Sequence, residues 1–190
     1  METQNIKTIL IDFDNWNSIK TIFNINKCLE KEDIVKISSN LNIFSDINFK
    51  INELNKYVEI QTKLDELKKE YDFLIIDISS NIEYEQTKLI LEYSNKIIFL
   101  IEPNILEIKK ASKLLEIYIK DWNIDINKIK IVFNKTNKNK IALEILKDVF
   151  SKIKIIGEME YNEKINLFIN KRGGESVNLL ELEKIYKNLI

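Results

Sequence analysis

Histidine is absent from the 190-residue chain, and cysteine, proline and arginine occur once each, at Cys28, Pro103 and Arg172. No Ser-His-Asp triad or imidazole-ligated metal can exist without histidine, and a single cysteine excludes an internal disulfide and a cysteine zinc cluster. Glycine is nearly as scarce, with Gly157, Gly173 and Gly174 the only three. A phosphate-cradling loop needs glycines, because its backbone N–H groups must turn inward around the anion unobstructed. Neither G-x-x-x-x-G-K-[ST] nor G-x-G-x-x-G is present, and Lys20-Thr21, preceded by Asn17, Ser18 and Ile19, could not close on a phosphate. No apolar run approaches the ~20 residues that cross a bilayer, and Met1-Glu2-Thr3-Gln4-Asn5 is unlike a basic, apolar leader, so the expected location is the cytoplasm. One-sided charge is lacking too. Lys and Arg number 29 against 30 Asp and Glu, a formal net of −1, which gives no overall field to draw nucleic acid or membrane.

What is present is 45% hydrophobic and 31% charged residues, enough for one domain spanning residues 1–190 with a substantial core. Short β-branched runs alternate with helical spacing. Residues 8–13, 40–44, 73–78, Ile97–Ile101, 129–133 and 153–156 read as strands, the last closed by Gly157. Between them, helices are expected over 15–24 with Trp16, over 52–70 with Leu54, Tyr57, Ile60, Leu64 and Leu67 inward, over 82–93 and over 104–122. The 104–122 helix would take Pro103 in its first turn and carry Ile105, Ile108, Leu115, Ile119 and Trp122 inward, with Lys109, Lys110 and Lys113 elsewhere. Further helices are expected over 138–150, 162–171 and 176–189, the last two separated by Gly173-Gly174. Strands alternating with helices at this spacing predict a doubly wound, mostly parallel α/β sheet with helices on both faces.

Two strands deliver carboxylates to the ligand edge of such a sheet. The run Tyr-Asp-Phe-Leu-Ile-Ile-Asp-Ile-Ser-Ser at 71–80 is apolar until Asp77, and Thr-Ile-Leu-Ile-Asp-Phe at 8–13 ends in Asp12, with Asp14 beyond Phe13. Ligands of open α/β sheets bind outside the carboxyl ends of the strands, where an acid can work on a metal ion, a water or a phosphate. Alternation in an extended chain puts Asp12 and Asp14 on one face. The structural alternative for Asp77, Ser79 and Ser80 is capping of the following helix.

The order of these features resembles the MinD/ParA family of deviant-Walker ATPases, which position division sites, plasmids, pili and flagella. Ile11-Asp12-Phe13-Asp14 resembles the family's switch I Asp-x-Asp strand, Asn40-Leu41-Asn42-Ile43-Phe44 its Asn-Leu strand, and residues 71–80 its Walker B strand. Glu102-Pro103 is similar to the strand end carrying Glu-Pro or Asn-Pro. Asn134-Lys135 falls where the family reads the adenine edge, and the stretch from Ile156-Gly157 to Tyr161-Asn162 resembles Gly-x-Ile-Pro-Tyr-Asp, with Glu160 in the proline's place. Gly174-Glu175-Ser176-Val177 resembles the Gly-x-Pro-Val tail.

The resemblance implies a P-loop NTPase-like fold whose first strand and P-loop are missing. It implies that Asp14 orients the hydrolytic water, Asp12 supports the magnesium shell, Asp77 is the Walker B acid that reaches magnesium, and Asn134 with Lys135 contacts the nucleotide base. Without loop amides and lysine, nothing neutralises a triphosphate and the remaining acids repel it. The expectation is therefore a positioning or partition protein acting as a non-hydrolysing interaction module, with no cofactor for this chain alone. Its partners would be proteins: a second copy or a related ATPase. The alternative is a fragment of an active ATPase whose P-loop lies upstream, which would bring magnesium and ATP. A receiver-like signalling domain is a further alternative, although Phe13 separates acids that receivers keep adjacent. A GTPase would read Asn-Lys-x-Asp, and Asn137 stands at the final position. DNA or membrane attachment would rest on lysines around Lys138, Lys140 and Lys164, or on the tail 177–190, which read as solvated faces and a packed last helix. With the P-loop strand missing from the sheet centre, residues 73–78 are expected to pair directly with Ile97–Ile101.

Overall fold

The computed structural model describes residues 6–13, 19, 34–44, 56–80, 85–136 and 140–163, which divide between two compact units, Met1–Asn81 and Ile82–Ile190. In the first unit the apolar runs form β1 (Thr8–Asp12), β2 (Ile34–Lys36), β3 (Leu41–Phe44) and β4 (Phe73–Asp77), ordered β2-β3-β1-β4 in one sheet. β1 is parallel to both β3 and β4, whereas β2 runs antiparallel to β3. Ile9, Ile11 and Ile43 are buried at the centre, as the β-branched composition of β1 and β3 dictates. Helix α1 (Lys56–Glu70) covers them with Ile60, Leu64 and Leu67, one stripe at helical spacing. Tyr57, expected on that stripe, is exposed in the helix's first turn.

β2 carries no sequence signal of its own, being three residues long. It forms because Ser38 closes a tight turn: its Oγ accepts from the amides of Asn40 and Leu41, while the Leu41 carbonyl accepts from Ile37 and Ser38. At the same end of the sheet, the amino ends of β1 and β4 are tied together. The Lys7 amide donates to Asp72 Oδ2 at 2.8 Å and the Lys7 carbonyl accepts from the Asp72 amide at 2.9 Å.

The second unit holds helix α2 (Glu85–Tyr93), β5 (Ile97–Ile101), helix α3 (Ile105–Glu116), β6 (Ile129–Thr136), helix α4 (Lys140–Val149) and β7 (Lys154–Glu160). Its sheet is parallel throughout, in the order β5-β6-β7. β6 is central, and Ile129, Ile131, Val132 and Phe133 are buried, the continuous apolar run of a strand covered on both faces. β6 runs three residues beyond the expected end at Phe133, and β7 passes through Gly157 instead of stopping there. Two register shifts in the β6–β7 ladder, at Ile131/Val132 and Phe133/Thr136, absorb the mismatch and let Gly157 pair with Val132.

Asn104 caps α3, its Oδ1 accepting from the Glu107 amide at 2.9 Å, so Pro103 lies just before the cap and not in the first turn. The helix buries Ala111, Leu115 and Tyr118, and Ile105 is exposed, contrary to the expected inward face. Ile117–Asp121 continues the helix as a wide π turn, and Tyr118, at ordinary helical spacing from Ala111 and Leu115, is buried where Ile119 was expected. Tyr118 then stacks on Trp122 at 5.0 Å and meets Phe99 of β5 edge-on at 6.1 Å.

Among the described residues β4 ends the sheet of the first unit and β5 ends that of the second, and the expected pairing of 73–78 with Ile97–Ile101 would run between the two units. The expected helices over 162–171 and 176–189, and most of that over 15–24 including Trp16, lie outside the described residues.

Candidate functional site

The parallel β1–β4 ladder pairs Asp12 with Asp77 in register at the carboxyl edge. In-register residues of adjacent parallel strands project to the same face, so the two expected acids come side by side. Their settings differ. Asp12 is 3% exposed and its Oδ2 accepts from the Ile19 amide at 3.1 Å, whereas Asp77 is exposed and its carbonyl accepts from the Phe13 amide at 2.8 Å. Asp14 lies outside the described residues. Carboxylate oxygens are the donors magnesium takes, and one or two of them suffice when water and phosphate oxygens complete the octahedron. No group of three or more Asp, Glu, Cys or His that could hold a metal alone occurs among the described residues. The pair thus fits a magnesium ion that arrives with a phosphate.

In the second unit, the carboxyl ends of β5 and β6 open into a cavity of about 370 Å³ lined by Leu100, Glu102, Asn104, Glu107 and Asn134. Asn134 and Lys135 occupy the bulge that ends the β6–β7 ladder. Lys135 adopts φ 55, a left-handed conformation uncommon for a residue with a Cβ, and its amide donates to Asn134 Oδ1 at 3.0 Å. The bulge swings the Lys135 side chain across the strand ends, where its Nζ donates to Glu102 Oε1. The other cavity carboxylate, Glu107, pairs with Lys110 at 2.8 Å. Both acids are therefore charge-compensated from outside, and what the cavity presents is two side-chain amides, Asn104 and Asn134, between paired carboxylates. That lining suits an uncharged, planar, donor-bearing group better than an anion.

Beneath this edge, buried Thr136 donates from Oγ1 to the Met159 carbonyl at 3.1 Å, and its own carbonyl accepts from the Tyr161 amide. The segment expected to resemble Gly-x-Ile-Pro-Tyr-Asp is thereby fastened to the Asn134–Lys135 strand as β7 and its exit. Sequence reasoning placed Asn134, Lys135 and Glu102 at this edge but missed Asn104 and Glu107. Their signal was the Asn-x-x-Glu spacing at a helix start, which reads first as a cap.

At the sequence level neither a protein-family model nor a curated protein matches the chain. Solved structures do. A putative plasmid partition protein from Borrelia burgdorferi, bound to AMPPNP, superposes with a TM-score of 0.76 at 19% identity, over 98% of this chain and 86% of that one. The cell division protein MinD of Aquifex aeolicus gives 0.74 at 17% identity, over 97% and 84%. A ParA family ATPase from Chlorobium tepidum gives 0.70 at 17% identity, over 99% and 88%. The chain has the MinD/ParA fold. Nearly its whole length is accounted for by that fold, so the MinD/ParA likeness expected from residue order extends to backbone geometry. At these identities it carries the architecture and leaves side-chain roles to be argued from this chain.

Proposed function

We propose that the chain is a MinD/ParA-like positioning or partition module that works by binding protein partners and does not turn over ATP by itself. The observation that carries this reading is a carboxyl edge retaining Asp12 beside Asp77 and the Asn134–Lys135 cavity in a sequence whose three glycines form no phosphate loop. Transition-state charge in phosphoryl transfer is met by loop amides, a lysine and magnesium, and only the magnesium-binding acids have counterparts in this sequence. With a nucleotide present, Asn134 and Lys135 are the residues for the base, and Asp12 and Asp77 those for magnesium. A role through protein partners is supported by MinD of Aquifex aeolicus, which is solved as a MinC:MinD complex. No described helix is long and apolar enough to cross a membrane.

Titration calorimetry of the chain with magnesium-ATP is the test. The expected result is no binding at micromolar nucleotide, and micromolar affinity would overturn the reading. The register of Asp12 with Asp77 favours one alternative, a working ATPase whose phosphate loop comes from residues outside this chain. If adding such a loop restores turnover, Asp14→Ala should abolish hydrolysis while sparing binding, and Asp77→Ala should weaken magnesium-dependent binding as well. Equal effects of the two would mean that the roles are misassigned.

A further inference from the structure

Ile105 and Leu106, in the first turn of α3, are 72% and 70% exposed, more than any other large apolar side chain among the described residues. An isolated exposed leucine needs no explanation, but an adjacent pair on the outer side of a helix that buries Ala111 and Leu115 does. One and two turns further along, Lys109 and Lys113 are exposed, and among the described residues neither has an ion pair; Lys110 is held by Glu107, and Lys120 by Glu116. Helical spacing puts Leu106, Lys109 and Lys113 on one outward strip, with Ile105 at its margin. The strip is graded along its length: apolar at the amino end, positive and uncompensated in the middle.

We infer that this outer face of α3 is a docking surface for a short acidic amphipathic helix of a partner protein. Lys109 and Lys113 lie about 6 and 12 Å along the axis from Ile105, so the partner must present an apolar anchor with carboxylates at those two distances. A helix with acid, acid and leucine at four-residue intervals does so when it lies antiparallel to α3. The leucine then meets Ile105 and Leu106, and the acids meet Lys109 and Lys113. Antiparallel packing also places the acids in the partner's opening turns, where its own macrodipole favours negative charge. Lipid is the poorer occupant. A helix lying on a bilayer needs its apolar residues in a stripe along the axis with lysines at the flanks, whereas here apolar residues and lysines follow one another along the axis. Two uncompensated lysines are also few for phosphate-backbone binding.

The inference gives the partner's chemistry for the interaction role proposed above and rests on that role only in taking the partner to be a protein. It does not depend on nucleotide, so its failure and that of the ATP titration are separate results. The probe is a fluorescein-labelled alanine-based peptide with the acid–acid–leucine spacing, titrated against the full chain by anisotropy at low and high salt. Expected is saturable binding that high salt weakens, reduced at least about tenfold by Leu106→Asp and again by the double variant Lys109→Glu/Lys113→Glu. All three sites are exposed, so circular dichroism and the thermal midpoint should be unchanged. Equal binding of a peptide with leucine first and the acids after it, or no effect of either variant, would overturn the proposal. Sedimentation onto phosphatidylserine vesicles that Leu106→Asp abolishes would reassign the face to lipid. A dimer seen by sedimentation velocity and lost in Leu106→Asp would reassign it to a second copy.

Discussion

Asp12 and Asp77 share a register but not an environment, and the difference predicts different consequences of losing each. Asp12 is almost wholly buried with the Ile19 amide donating to it, so Asp12→Ala removes a buried acceptor and strands a backbone donor. Such a loss costs about 1–2 kcal/mol. Asp77 is exposed, so water can take over what its side chain gives up, and Asp77→Ala should cost less than Asp12→Ala. Urea unfolding of the two variants separates them, and an equal loss would mean that Asp12 is not structurally engaged. The acids themselves were legible, because an apolar strand ending in a carboxylate is visible in one dimension. The Ile19 contact was not, since it depends on where the chain returns seven residues later. Lys135 shows the same limit. Its residue type was read, but its left-handed backbone and its reach to Glu102 come from a ladder irregularity between β6 and β7 that no local pattern encodes.

Elements were legible where composition and position agree. β6 buries Ile129, Ile131, Val132 and Phe133 because it is central, and α1 presents Ile60, Leu64 and Leu67 at helical spacing because it lies on a sheet. β4 breaks the agreement: its run reads as a strand buried on both faces, yet it ends its sheet with Phe73 at 41% and Ile75 at 53% exposure. Composition reports what a strand tolerates, not which strands flank it. α3 departs from its expected stripe at both ends, at exposed Ile105 and at buried Tyr118 just beyond it, and the second departure has a measurable consequence. Burial pushes the Tyr118 phenol above its ordinary value of 10.0, so the folded state holds the proton more tightly than the unfolded chain does. The linkage has one sign: the contribution is fully present below pH 10.0 and is lost as the pH climbs past that value toward the raised one. Tyr118→Phe keeps the ring stacked on Trp122 and removes the titration. Its stability relative to the parent should therefore rise above pH 10 and stay level below it. Denaturant midpoints measured across that range check this, and parallel pH curves for the two proteins would show that Tyr118 does not titrate with folding.

At the scale of the whole molecule, 17–19% identity to solved MinD and ParA-type structures sufficed for the same fold over nearly the full chain. The order of apolar runs, strand-end acids and turn residues that pointed to this fold was readable without an alignment. Assembly is the property that the missing loop should change most. The MinD/ParA resemblance implies a dimer held by ATP between two phosphate-loop faces, which would make nucleotide binding and self-association one linked equilibrium. This chain has the paired acids and the cavity beside Asn134 but no glycine-rich loop, and its net charge of −1 provides neither long-range attraction nor repulsion between copies. A ligand shifts an assembly only by its differential affinity for the two states, and a nucleotide that does not bind at micromolar concentration has none to contribute. Any self-association should therefore be set by protein concentration alone. Multi-angle light scattering with and without magnesium-ATP is expected to give superimposable masses at every loading. An increase toward twice the monomer mass on adding ATP would mean that the nucleotide finds its phosphate contacts in this chain after all, and that Asp12, Asp77 and Asn134 act as an ATP switch.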